Sequence, residues 1–264
     1  MTHLIQGYAR AFHVDASGLS LMIDTEKVLL TPDTTRQLTM ICTAHFACVA
    51  CQRPMKKNYQ QGYCYPCSRQ LACCDLCILK PSLCHYHLGT CREPSWGEEH
   101  CMINHIVYAS WTSGIKVGIT RHKRMHTRWR EQGAAIATPL YTTSRRKDAG
   151  DIEAHLSKHY NDRTDWRKML ISTDVNADIF HDFYKEIALF MHDHLSLTAQ
   201  PYEPTVLSYA ILGNVYPRSL GHSTQDFTIQ SPLIGIKGHY LIFTTGVLSV
   251  RSLLGRALQL TIDT

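Results

Sequence analysis

The chain of 264 residues carries a formal net charge of +5 and is 44% hydrophobic. That is enough apolar sequence for a sizeable core in two or three small domains, and it excludes an extended disordered chain. The mild basicity favours a polyanionic partner without requiring one, and no run of about 18 apolar residues occurs that would form a membrane helix.

The amino-terminal MTHLIQGYARAFH lacks the apolar centre of a secretion signal, so a soluble, cytoplasmic protein with no membrane partner is expected. All 11 cysteines fall between Cys42 and Cys101. Cys-x2-Cys spacing in such a chain points to metal ligands in a reducing compartment rather than to disulfides.

Residues 1–41 read as a β-rich segment. Leu19, Leu21 and Ile23 fall on one side of an extended chain, and Lys27 to Leu30 forms another strand. A cysteine-rich region, 42–104, follows. In it Cys48-x2-Cys51 and Cys64-x2-Cys67, twelve residues apart, can place four thiolates tetrahedrally around Zn2+. Gly62 and Pro66 suit the tight turn of the second knuckle. Cys74, Cys77, Cys84 and Cys91 form the simplest set for a second zinc, with Cys101 or His87 able to replace a member. Neither site has an evident open coordination position, so both read as structural.

Residues 105–173 read as a compact α/β core. Val107-Tyr108 and Ile115 to Thr120 form a hairpin around the turn Thr112-Ser113-Gly114. Arg121, Lys123, Arg124, Arg128 and Arg130 follow at once, Thr127 to Gln132 continues as a helix, and Ala135 to Thr143 gives a third strand. Arg145-Arg146-Lys147 is a second basic cluster, and Gly150-Asp151 suggests a turn and cap before a helix from Ile152 to Tyr160. On that helix Glu153 stands beside the apolar stripe, either solvated or pointing into a site. A polar turn at 162–165 leads to Trp166, expected to anchor this helix on its neighbour.

Residues 174–204 comprise an amphipathic helix and a linker, the stripe being Ile179, Phe183, Ile187, Phe190, Met191 and Leu195. Residues 205–264 turn β-rich again, with strands at Ile236 to Thr244, Val247 to Arg251 and Ala257 to Ile262. The expected class is therefore α+β: a zinc ribbon and an α/β core, flanked by terminal segments able to meet in one sheet or small barrel.

Tyr108, the run Lys116-Val117-Gly118-Ile119-Thr120 with Gly118 as the second-triplet glycine, the downstream Arg128 and the later Glu153 resemble the GIY-YIG endonuclease superfamily. The longer run through KVGITR, QGA and GIKGHYLIF also resembles an uncharacterised prokaryotic cysteine-rich family of unknown function. The first resemblance implies a nuclease core across about residues 105 to 170. In it Tyr108 takes the place of the first-triplet tyrosine, Arg128 that of the helix arginine, and Glu153 that of the carboxylate for Mg2+ or Mn2+. Lys116 stands where the superfamily usually has its second tyrosine, and could contact a phosphate instead. The interval from Tyr108 to Gly118 is shorter than in most members, and Arg128 lies further along than usual, so Arg124 or Arg121 is an alternative.

The expected function is divalent-metal-dependent cleavage of nucleic acid, DNA before RNA, with Arg121, Lys123, Arg124, Arg130, Arg145 and Arg146 as phosphate contacts. Two alternatives remain open on the same residues. One is a non-catalytic nucleic-acid-binding protein, with Trp111, Tyr108 or Trp129 stacking on bases. The other is a zinc-stabilised protein-interaction scaffold.

Overall fold

Leu19, Leu21 and Ile23 are all buried on one strand, as their alternation predicts. In the computed structural model, which describes residues 3–160, 163–172, 175–222 and 224–262, that strand belongs to a nine-stranded sheet. Its amino-terminal members are β1 (His3–Val14), β2 (Leu19–Ile23), β3 (Glu26–Leu30), β4 (Asp33–Ala47) and the short β5 (Pro54–Met55). Four further strands follow in the middle of the chain: β6 (His105–Trp111), β7 (Ile115–Arg121), β8 (Ile136–Thr143) and β9 (Thr205–Val206). The last four, β10 (Phe227–Lys237), β11 (Tyr240–Phe243), β12 (Gly246–Ser249) and β13 (Arg256–Ile262), return to the first sheet.

The chain divides into two compact units, Met1–Gln70 with Tyr209–Thr264, and Leu71–Ser208. In the first unit the strand order is β12-β11-β10-β4-β13-β1-β2-β3, with β5 on β4. The long central β4 pairs antiparallel with β10 and with β13, so the two terminal segments do meet in one sheet. Its edges, β12 and β3, do not pair with each other among the described residues, and the sheet is open rather than a barrel. Leu38, Met40 and Cys42 alternate into its core. Cys42 is packed in this apolar core and belongs to no cluster of metal-ligating groups among the described residues, and burial pushes its thiol up to about 12.

Arg256 is the unusual member of that core. It is fully buried at the start of β13. Its guanidinium donates to the carbonyls of Thr43 at 2.7 Å, Gln225 at 3.0 Å and His222 at 2.7 Å, and lies over the rings of Phe46 and Phe227. A planar fork with several donors can satisfy three carbonyls at once, where an ammonium on a flexible stem cannot hold the same geometry.

In the second unit a four-stranded antiparallel sheet, β7-β6-β8-β9, packs against helices Arg146–Leu156 and Ala177–Leu195. The β6–β7 hairpin matches the expected one, and every residue of β6 except Trp111 is buried. A short helix, Met125–Glu131, follows β7, with Trp129 buried completely. The next helix starts at Arg146, not at Ile152. Gly150 therefore lies within the helix instead of in a turn before it. The expected turn at 162 falls partly outside the described residues. Beyond it Met169 and Leu170 are the buried anchors, whereas Trp166 is half-buried beneath Arg167. The last helix is capped by Asn176, whose side chain accepts from the backbone of Asp178 and Ile179 at 3.0 Å. It buries Phe180, Ile187 and Met191 and leaves Ile179 exposed, so the buried stripe is offset from the expected one at its start. Among the described residues no helix is long and apolar enough to cross a membrane.

Two measurements check this account. Replacing Arg256 by Lys is expected to lower stability by about 2 kcal/mol in urea unfolding, since buried carbonyls lose donors. His105 on β6 is buried, with Nδ1 2.7 Å from the Ile103 carbonyl, and burial pushes its pKa down to about 4. Below pH ~6.5 the unfolded chain takes up a proton that the folded chain refuses, so stability falls as pH drops from there to about 4. That loss, up to about 3 kcal/mol, is expected in the wild type and absent from His105→Gln.

Candidate functional site

Tyr108 and Gly118 face each other across the β6–β7 ladder. The tyrosine ring lies against the glycine: a Cβ there would sit 2.8 Å from the phenol oxygen and 2.9 Å from Cζ. Only glycine leaves room for this approach. The phenol is fully buried and donates to Gln132 Oε1 at 2.6 Å, while Trp129 packs edge-on with ring centroids 5.9 Å apart. Burial pushes the Tyr108 pKa up, opposed by the Arg128 guanidinium and reinforced by the Glu153 carboxylate. The phenol accordingly stays protonated at neutral pH.

These groups border a cavity of about 460 Å3. Tyr108, Lys116 and Gly118 come from the hairpin, Arg128 and Gln132 from the helix after it and its end, and Glu153 from the Arg146–Leu156 helix. All four residues expected to carry catalysis, Tyr108, Lys116, Arg128 and Glu153, thus line one space. Lys116 is almost wholly buried. Arg128 is part-exposed, 4.0 Å from the Glu131 carboxylate.

The remaining wall is the turn Leu79 to Leu83 from the cysteine-rich segment, bringing Lys80 and Ser82. Gly150 allows this: a Cβ on that helix residue would lie 2.4 Å from the Ser82 nitrogen and 2.5 Å from the Pro81 carbonyl carbon. Gln132, Lys80 and Ser82 were not singled out by sequence. The QGA triplet held the signal for Gln132, because Gly133, with φ +70°, and the buried Ala134 end the helix sharply and fix the position before them.

The basic residues do not gather around this cavity as a group. Arg121, Lys123 and Arg124 line a separate concavity of about 510 Å3, with Glu99, Ile103 and Asn104. Arg124 is paired with Glu131 at 2.5 Å, and Arg145 with Asp148 at 2.9 Å. Arg130 donates to the Ser208 carbonyl at 3.3 Å, and Arg146 to that of Ile78 at 2.9 Å. Trp129 is enclosed and Trp111 packs on the core, so neither presents a ring for base stacking.

The first cysteine set converges as its spacing predicts. The Sγ atoms of Cys48, Cys51, Cys64 and Cys67 all lie within 4.8 Å of one another, and could hold a metal ion such as zinc. Cys48 follows β4, while Cys64 and Cys67 flank the start of a short helix, Tyr65–Gln70. Gly62, with φ +110°, turns the chain between the knuckles where a Cβ would meet Val49 Cγ1 at 2.6 Å. Burial resists ionisation of Cys48, yet backbone N–H groups of Cys51, Cys64 and Ala50 aimed at it bring its pKa down to about 6. Donors directed at sulfur are what a thiolate ligand needs.

The expected second set does not assemble as Cys74, Cys77, Cys84 and Cys91. Cys74 sits in a tight turn, Ala72–Cys74, with its sulfur 4.0 Å from that of Cys73. Cys101 takes its place beside Cys77, Cys84 and Cys91 around a small void. His87 is exposed. Among the described residues no three of the sulfurs of Cys77, Cys84, Cys91 and Cys101 lie within 4.8 Å of one another, whereas the donor atoms of Asp75, Cys77 and His85 do.

A family model described as a protein of unknown function, DUF2797, matches residues 35–258. No curated protein and no solved structure matches the chain.

Serine in place of Cys51, the most exposed of the first four thiols, is expected to lower the zinc content of the purified protein by about one ion per chain. Unchanged zinc in elemental analysis would count against metal at this cluster.

Proposed function

The chain belongs to the DUF2797 family, and we propose that this member is a GIY-YIG-like, divalent-metal-dependent nuclease acting on nucleic-acid phosphodiesters, DNA in preference to RNA. One observation carries the reading: Tyr108, Lys116, Gly118, Arg128 and Glu153, chosen by resemblance from separate stretches of sequence, border a single cavity. Its volume of about 460 Å3 has room for a phosphodiester beside a hydrated ion.

The donor set fits Mg2+ or Mn2+, because Glu153 supplies a carboxylate at the cavity wall and such ions retain several waters. When bound, the ion would stabilise negative charge on the leaving oxygen. Arg128 neutralises charge growing on the non-bridging phosphoryl oxygens. Lys116, in place of a second tyrosine, holds the phosphate as a compact positive charge. The protonated Tyr108 phenol cannot take a proton from water and its own proton is held by Gln132 Oε1, so its part is to orient the attacking water by accepting a hydrogen bond from it.

That raised phenol pKa also favours a second reading, binding of nucleic acid without cleavage. Purified protein incubated with branched, single-stranded and duplex DNA, and with RNA, in Mg2+ or Mn2+ separates the two. Cleavage that falls by about 100-fold or more in Glu153→Gln and in Arg128→Ala is expected. Failure of the wild type to cleave any substrate, with binding that weakens steeply as salt is added, would leave the non-catalytic reading. Cleavage unchanged in both variants would overturn the assignment of the site.

A further inference from the structure

The second cysteine cluster lies wholly within the unit formed by Leu71–Ser208. Cys77, Cys84 and Cys101 are buried together against Ile78, Tyr86 and Trp96. With Cys91 they line a void of about 10 Å3, room for an atom and not for bulk water. Cys84 and Cys101 are within hydrogen-bonding reach of each other. The helix Pro94–His100 closes over the group at Gly97, where a Cβ would come within 3.2 Å of Cys91 Sγ and 2.7 Å of the Tyr86 ring. A residue with any side chain there would force the helix away from the thiols.

Asp75, Cys77 and His85 are the competing ligand set; their donor atoms lie within 4.8 Å of one another, as those of the four cysteines do not, but their hydrogen bonds argue against them. Asp75 Oδ2 is 2.7 Å from Arg92 Nε, so a cation at Asp75 would lie against a guanidinium. The carboxylate also accepts from the Cys77 backbone N–H at 3.1 Å, and His85 Nδ1 is 2.7 Å from Thr90 Oγ1. These groups are arranged as an outer layer. Four thiolates around Zn2+ carry a net charge of about −2, and positive groups around such a centre are favourable. Arg92 stands at the void, and Arg146 borders the cluster, its backbone N–H donating to the Cys101 carbonyl at 2.8 Å.

We propose that Cys77, Cys84, Cys91 and Cys101 bind a second, structural zinc ion. This zinc has a consequence for the cavity that does not depend on what the cavity binds or cleaves. Cys77 and Cys84 bracket the turn Leu79 to Leu83, one wall of that space. The helix bearing Glu153 is fastened to the same turn, through Gly150 on Pro81–Ser82 and Arg146 Nη2 on the Ile78 carbonyl at 2.9 Å. The ion therefore fixes the wall opposite the hairpin and the helix that carries the carboxylate.

The test uses the full chain, expressed with zinc. Elemental analysis should find about two zinc ions per chain, and zinc X-ray absorption an average of about four sulfur ligands with no nitrogen or oxygen shell. Cys101→Ser should lose about one zinc, while Cys74→Ser keeps both. The proposal is overturned by a wild-type chain with a single zinc that survives in Cys101→Ser. Nitrogen or oxygen ligands at half of the zinc would equally overturn it and point to Asp75, Cys77 and His85. Should Cys101→Ser fail to fold, the wild-type absorption spectrum alone still decides between the two ligand sets.

Discussion

The cavity in the second unit depends on one close approach, that of the Tyr108 ring to Gly118. Both residues sit at paired positions of a hairpin, where a large side chain normally stands away from its neighbour. Because Gly118 has no Cβ, the ring folds across it, and the phenol reaches the end of the following helix at Gln132. That hydrogen bond ties hairpin to helix and fixes where Arg128, one turn before Gln132, meets the cavity. Trp129, packed edge-on against the same ring, fills the space behind it. Floor, cation and back wall thus share a single steric cause.

A second glycine sets the opposite wall. A glycine within a helix costs about 1 kcal/mol relative to alanine and has no intrinsic reason to be there. Gly150 has an extrinsic one, since Pro81 and Ser82 occupy the space that a methyl group would take. Lys80 and Glu153 face the same cavity because the turn and the helix touch at this point. Two glycines thus position most of the lining, each at a place where backbone must come closer than any side chain permits.

The sequence made the hairpin and the first cysteine set legible, because each is defined by local spacing. Two Cys-x2-Cys pairs admit only one sensible tetrahedral grouping, and alternation across Leu19, Leu21 and Ile23 admits only one buried face. The misreadings have equally physical origins. The Arg146–Leu156 helix was expected to begin at Ile152 because its first turns are built from charged and small residues with no apolar stripe. Those turns, Arg146 to Gly150, are stabilised by the cysteine-rich turn, a contact between residues far apart in sequence. The second cysteine set stayed ambiguous for a related reason: Cys77, Cys84 and Cys91 recur at intervals of seven, so spacing alone cannot choose between Cys74 and Cys101 as their neighbour. The helix Pro94–His100, folding back at Gly97, brings in Cys101. In the last helix Ile179 and Phe180 are adjacent apolar residues, and only the position of its neighbours, Tyr202 among them, decides which one is buried.

The charge around the cavity bears most directly on what it accepts. Lys80, Lys116 and Arg128 line it, and Glu153 is the only acidic residue among the lining residues described. Glu131 offsets part of the charge on Arg128, but at 4.0 Å and from outside the cavity. A partly enclosed space with an excess of cations concentrates anions. Tyr108, neutral and bonded to Gln132, adds no negative charge at the same surface. The charge of the lining therefore favours an anionic ligand over an apolar one, independently of the resemblance that first drew attention to these residues.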